Sequence, residues 1–333
     1  VLAGYPNARK TSVNNSLKNI PDHLHLATLD VCYSGNCAEL KQNITSSGSS
    51  AIHSGGDKMI KRILVGLAGT DYTEVAVRRA AELAQIHGAE ITGVTVMDPS
   101  TLHTGSVPSG AGSTARELRE HRIEVSREHI LQAIANFEDT CSKLKIPHQT
   151  LREEGNVFRL VTHLARFHDC TIFGLRSVFE YFFEDGDSST LLIRLMSEGV
   201  RPIIATAKTY RPIHKVLLAY SGSMESARTI RRFVQERLWP DISLKIVTFG
   251  PREKEAQQRL SEAAEYCKAH GFDSQTQYIK GSPSIGLLQH AVEWDADLIV
   301  LGNSTHSLLR RQIFSDTTMH TIKNADRPLF LSH

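Results

Sequence analysis

Three stretches of the chain carry residue types and spacings that could do chemistry. Near the start, GYPNARKT sets Gly4, Lys10 and Thr11 at the spacing of a phosphate-binding loop, G-x-x-x-x-G-K-[ST], with Arg9 where the second glycine belongs. That glycine adopts a backbone conformation that a Cβ atom penalises by about 1–2 kcal/mol, and an arginine would also crowd the phosphate path. His23, His25, Cys32 and Cys37 own zinc-binding side chains. Their H-x-H and C-x4-C spacings lack the tight pairs, such as C-x2-C, of a structural zinc site. The run GSPSIG is no nucleophile elbow, because Ser282 stands in the glycine position before Pro283 and Ser284. Ser282 as a helix N-cap and Pro283 at the first helical position explain it better. None of the three is expected to be catalytic, and no metal site is expected.

The elements that would position any working site begin after residue 58. Residues 1–58 show little sustained periodicity and end in NITSSGSSAIHSGGDK, whose composition is that of a flexible linker. From there strand and helix signals alternate. IKRILVGL, EITGVTVMD, HQTLREEG, DCTIFGL and RPIIATA read as strands. Between them lie helices through TEVAVRRAAELAQIHG, with Gly88 as C-cap, and through ARELREHRIEVSREHILQAIANFEDTCSKL, NVFRLVTHLARFH and SSTLLIRLMSEG. Five strands alternating with helices predict a parallel sheet covered on both faces.

The pattern then repeats. KVLLAYSGSMESARTIRRFVQ mirrors KRILVGLAGTDYTEVAVRRAA, DLIVLGNS mirrors DCTIFGLR, and NADRPLFLSH mirrors EGVRPIIATA. The expected organisation is an N-terminal segment over 1–58, one α/β domain over 59–207, a linker over 208–213 and a second α/β domain over 214–333. The second copy lacks the SVPSGAGS loop region of the first.

In this order of motifs the chain resembles the universal stress proteins in their tandem two-domain form, over Met59 to His333. The resemblance implies two doubly wound domains, each with a five-stranded parallel sheet. It also implies that the fifth strands, PIIATA and PLFLSH, pair with each other and cover two apolar edges within one molecule. Some family members bind ATP through an Asp at the end of the first strand and a loop G-x2-G-x9-G-[S/T] after the fourth. GYPNARKT itself resembles the first GTPase motif of bacterial ferrous-iron transporters. Of the later GTPase motifs, NKxD is absent and only HLATLD hints at a magnesium-binding strand.

Measured against the family pattern, both copies depart. Ala68 and Ser221 hold the first-strand Asp position. Gly174 opens the first loop, with Ser177 and Asp187 in place of its glycines before Ser188. Gly302 opens the second, with Thr305, Ser315 and Asp316 replacing the other loop positions before Thr317. Gly174, Ser177, Ser188, Gly302, Thr305 and Thr317 are therefore the candidate cofactor-binding residues, in degenerate form. Asp187 and Asp316 are expected to cap the final helix of each domain, taking the N–H donors a phosphate would need. At ~4 Å a carboxylate also repels a phosphate charge by about 1 kcal/mol in water and about 4 at a surface-like dielectric.

Composition narrows the rest. The chain is 41% hydrophobic, its net charge is +2, and it shows no apolar run of membrane-spanning length. Neither a nucleic-acid nor a membrane partner is expected. Five scattered cysteines point to reduced thiols and a cytoplasmic location, and Cys170 in CTIFG reads as core. The expected function is that of a non-catalytic stress-response protein, with no cofactor, acting by binding partners or ligands as an internal pseudo-dimer. A homodimer of such pseudo-dimers is compatible with this. Two alternatives stand beside it: an ATP-binding regulator with weak ATPase activity, and an adaptor linked to ion transport through the N-terminal segment.

Overall fold

The computed structural model describes residues 60–97, 113–176, 188–200, 202–302 and 316–332. The N-terminal segment, with its phosphate-loop and zinc-type residues, and residues 106–112 of the SVPSGAGS loop lie outside them. Residues 57–333 form one compact unit.

The first repeat runs β1 (Arg62–Gly66), α1 (Thr73–His87), β2 (Glu90–Met97), α2 (Ser113–Lys143), β3 (His148–Glu154), α3 (Val157–Ala165), β4 (Cys170–Gly174), α4 (Ser188–Ser197) and β5 (Ile203–Thr206). The second runs β6 (Lys215–Ala219), α5 (Met224–Glu236), β7 (Ser243–Gly250), α6 (Glu253–Ala269), β8 (Ser274–Lys280), α7 (Pro283–Glu293), β9 (Leu298–Gly302), α8 (Asp316–Asn324) and β10 (Leu329–Ser332). The central strands, RILVG, CTIFG and LIVLG, are short apolar runs with nearly every residue buried, as a parallel sheet sandwiched by helices requires. Gly88 ends α1 at φ 65°, its N–H returning to the Ala84 carbonyl. Ser282 and Pro283 start α7 as expected, but the Ser282 hydroxyl meets Ser284 Oγ at 2.8 Å and not a helix N–H.

The two five-stranded sheets merge into one of ten strands, ordered β3-β2-β1-β4-β5-β10-β9-β6-β7-β8. Within each half every pairing is parallel; the single antiparallel seam joins β5 to β10, with Ile203, Ile204 and Ala205 opposite Leu331, Phe330 and Leu329. All six are fully buried. Pro202 and Pro328 stand just before these strands, and their carbonyls accept from Thr171 N and Ile299 N, both at 3.1 Å. Proline cannot donate to a ladder, so the strand start is where it does least harm.

A polar knot crosses the seam on the helix side. Glu82 Oε2 accepts from Arg79 Nη1 at 2.5 Å and from Tyr210 OH at 3.0 Å, while Oε1 accepts from Trp239 Nε1 at 3.0 Å. Arg79, fully buried, also donates to the Arg211 carbonyl at 2.6 Å. Arg211 in turn reaches Asp295 Oδ1 and the Ala296 carbonyl, each at 3.0 Å. The segment between the repeats is thus tied to both of them.

Candidate functional site

In a doubly wound sheet, ligands bind outside the carboxyl ends of the strands where the strand order reverses. Here that place is between β1 and β4 in the first repeat and between β6 and β9 in the second. The turns leaving β1 and β6 therefore define the candidate site, together with Gly174 and Gly302 at the ends of β4 and β9.

The two turns share one plan. Gly69 and Gly222 have φ of 72° and 80°, a left-handed backbone that only glycine adopts without cost. Each is also roofed. A Cβ on Gly69 would lie 2.9 Å from the His129 carbonyl carbon of α2, and one on Gly222 would lie 2.8 Å from Arg259 Cδ of α6. Past the glycine, hydroxyls close on the helix start. Thr70 N donates to Thr73 Oγ1 at 3.0 Å, and Thr73 N to the Thr70 carbonyl at 2.9 Å. In the second repeat Ser223 caps α5 by accepting from Ser226 N at 3.2 Å. Ser221 Oγ lies 3.0 Å from Ser223 Oγ and 3.1 Å from Ser226 Oγ. Ala68 has no polar side chain to offer a ligand, and the Ser221 hydroxyl is engaged within this cluster.

The remaining candidate residues separate. Gly174 is buried at the end of β4, opposite Thr206 of β5. Gly302 ends β9 opposite Ser332, and a Cβ on it would stand 2.7 Å from Thr229 Oγ1 and 3.0 Å from Ser226 Cα. Close packing on the first turns of α5 is thus reason enough for that glycine, without any phosphate. Ser188 is the first residue of α4 and Thr317 the second of α8. Ser177, Thr305, Asp187 and Ser315 lie outside the described residues. Asp316 corrects an expectation: it is the first helical residue of α8, and exposed, not the N-cap before it. There its charge favours the helix dipole, but its carboxylate does not take the cap position.

One cavity borders the first turn, a polar groove of about 330 Å³ between the start of α1 and the middle of α2. Thr70, Asp71 and Glu74 line one side, His129, Gln132 and Asn136 the other. Asp71 pairs with Lys208 at 2.5 Å, and that hydrogen bond and charge hold its carboxyl below the ordinary range. This groove was not legible in the sequence; the signal that was present is the repeated T-x-x-T and S-x-x-S after Gly69 and Gly222. Among the described residues no cluster of His, Cys, Asp and Glu could hold a metal ion. Cys141, Cys170 and Cys267 are buried free thiols; burial pushes Cys141 and Cys267 up to about 11 and Cys170 well above its usual value. Such thiols are core residues and not nucleophiles.

The profile of the Universal stress protein family matches residues 59–166 and again 212–333. The chain belongs to the universal stress protein family. A universal stress protein of Synechocystis sp. is 23% identical over 286 residues, which cover 81% of this chain and 99% of that one. Among solved structures, a universal stress protein from Archaeoglobus fulgidus superposes with a TM-score of 0.54 at 15% identity, covering 81% of this chain and 95% of its own. A Pseudomonas aeruginosa protein of unknown function gives 0.51, also at 15% identity, covering 83% and 93%. At these identities the structures share the fold, and the tandem form of the family accounts for the internal repeat. No helix among the described residues is long and apolar enough to cross a membrane.

Proposed function

We propose that this universal stress protein is a non-catalytic stress-response protein of the cytoplasm, acting as an internal pseudo-dimer that binds partner proteins or ligands. The observation that carries the reading is the closure of both β–α turns at the switch points. In the first turn the Thr73 hydroxyl accepts from the Thr70 N–H and the Thr73 N–H is taken by the Thr70 carbonyl; in the second the hydroxyls of Ser221, Ser223 and Ser226 bond to one another and Ser223 caps the Ser226 N–H. An anion entering there would have to break bonds already made. No described residues unite a nucleophile, a base and oxyanion donors at these turns.

Isothermal calorimetry with ATP and magnesium tests the proposal. Absence of saturable heat at micromolar nucleotide is expected. Micromolar binding would overturn the reading in favour of an ATP-binding regulator, with the turn hydroxyls re-paired to phosphate.

A further inference from the structure

The internal duplication provides its own control at the other end of the sheet. In the first repeat, Arg62 opens β1 and lies opposite Glu90 of β2, its Nε donating to Glu90 Oε1 at 2.6 Å. Thr92, two residues along β2, is closed by neutral groups: its Oγ1 lies 3.1 Å from Gln149 Nε2 and 3.0 Å from His168 Nε2. The equivalent positions of the second repeat are Lys215, opposite Ser243, and Lys245, opposite Leu217. One carboxylate has been replaced by a hydroxyl and one hydroxyl by an ammonium. The same patch of sheet passes from neutral to doubly positive.

Nothing nearby restores the balance. Lys245 Nζ stands 4.9 Å and Lys215 Nζ 6.0 Å from the centre of the Trp294 indole, at the end of α7. Among the described residues their only hydrogen bonds from the side chain are long ones, Lys245 to Gln277 Oε1 and Lys215 to the Trp294 carbonyl, both 3.5 Å. Glu293 is turned to His290 Nδ1 at 3.7 Å and to Gln289 at 2.9 Å. Asp297 accepts from the backbone N–H groups of His214 and Lys215 and faces Arg211 at 3.4 Å. Burial and the charge of Lys215 hold the Lys245 ammonium below its ordinary pKa, as expected where no counter-charge compensates. Beside them, the buried His290 keeps its Nε2 without a hydrogen-bond partner.

We propose that Lys215, Lys245 and Trp294 form a binding site for a doubly charged oxyanion of phosphate chemistry, free or as a small monoester. The site lies at the amino end of β6, whereas the β–α turn lies beyond its carboxyl end, so it is separate from the switch-point crevice. Two ammonium groups beside one indole neutralise a dianion, and the ring supplies an apolar surface next to it.

The test is a titration with inorganic phosphate at ionic strength held constant by potassium chloride, read by tryptophan fluorescence. The chain has two tryptophans, and Trp239 is bound to Glu82 in the seam. A saturable change in the millimolar range or tighter is expected. The double variant Ser243→Glu, Lys245→Thr rebuilds the neutral arrangement of the first repeat and should weaken binding at least about tenfold. Lys245→Arg keeps the charge and should bind within a few-fold of the parent, and Lys245→Gln should not, which preserves the comparison if the double variant fails to fold. A parallel titration with glycerol 3-phosphate assigns the source: tighter binding than phosphate points to a monoester, equal binding to the free anion. A response that chloride reproduces, or saturable binding that survives in the double variant, would overturn the proposal.

Discussion

Glu236, at the end of α5, is largely shielded, its side chain 15% exposed, and is held by Arg232 at 2.5 Å. Two effects oppose: burial and the Asp169 charge raise its pKa, the Arg232 charge and hydrogen bond lower it, and burial wins, placing it at about 7. The folded protein thus holds a proton that the unfolded chain, titrating near 4.5, has already released. Stability conferred by this group is complete below pH 4.5 and is lost as pH rises through 7. The difference amounts to on the order of 3 kcal/mol. Urea unfolding at pH 5 and pH 8 should show the parent losing stability towards alkaline pH, while Glu236→Gln stays nearly flat across the same interval; parallel slopes in the two proteins would refute the assignment. Residue-level readings of the sequence succeeded where the cause is local. Gly88 and Pro283 behave as their backbones demand. They fell short at Gly302, whose tight neighbours, Ser226 and Thr229, lie on α5 and are distant in the chain.

At the scale of elements, the knot between α1 and the inter-repeat segment holds a fully buried arginine to a single carboxylate. Glu82→Ala would leave the Arg79 guanidinium without its counter-charge and strip acceptors from Tyr210 and Trp239. A loss of about 3–5 kcal/mol is expected from breaking a buried pair on one side, measured by chemical denaturation, with Arg79→Met in the same background recovering part of it. Strands and helices were readable from alternating apolar runs. The polar groove between α1 and α2 was not, because its two walls are separated in sequence and meet only when α2 packs on Gly69.

For the whole molecule, the antiparallel seam joins the two repeats in one ten-stranded sheet, and a cooperative body is the expected result. Phe330 sits in the seam opposite Ile204 and packs edge-on to Phe233, ring centres 5.2 Å apart. Phe330→Ala should cost about 3–5 kcal/mol and should destabilise both repeats together. Differential scanning calorimetry is expected to show one transition in the parent and in the variant, shifted downward; an unshifted component for the first repeat would mean that the halves fold independently.

By itself the sequence determined the α/β alternation, the duplication and the family, because apolar periodicity and turn glycines are properties of consecutive residues. The family resemblance also implied the fifth strands as partners, and the proline before each suited the start of a strand. Tertiary structure alone decided what the polar residues do. Which hydroxyls close the β–α turns, why Gly302 must lack a side chain, and that Lys215 and Lys245 share one indole all depend on strand register and helix packing. Those bring together groups that the chain order keeps apart, and only proximity determines whether a charge or a hydroxyl is satisfied.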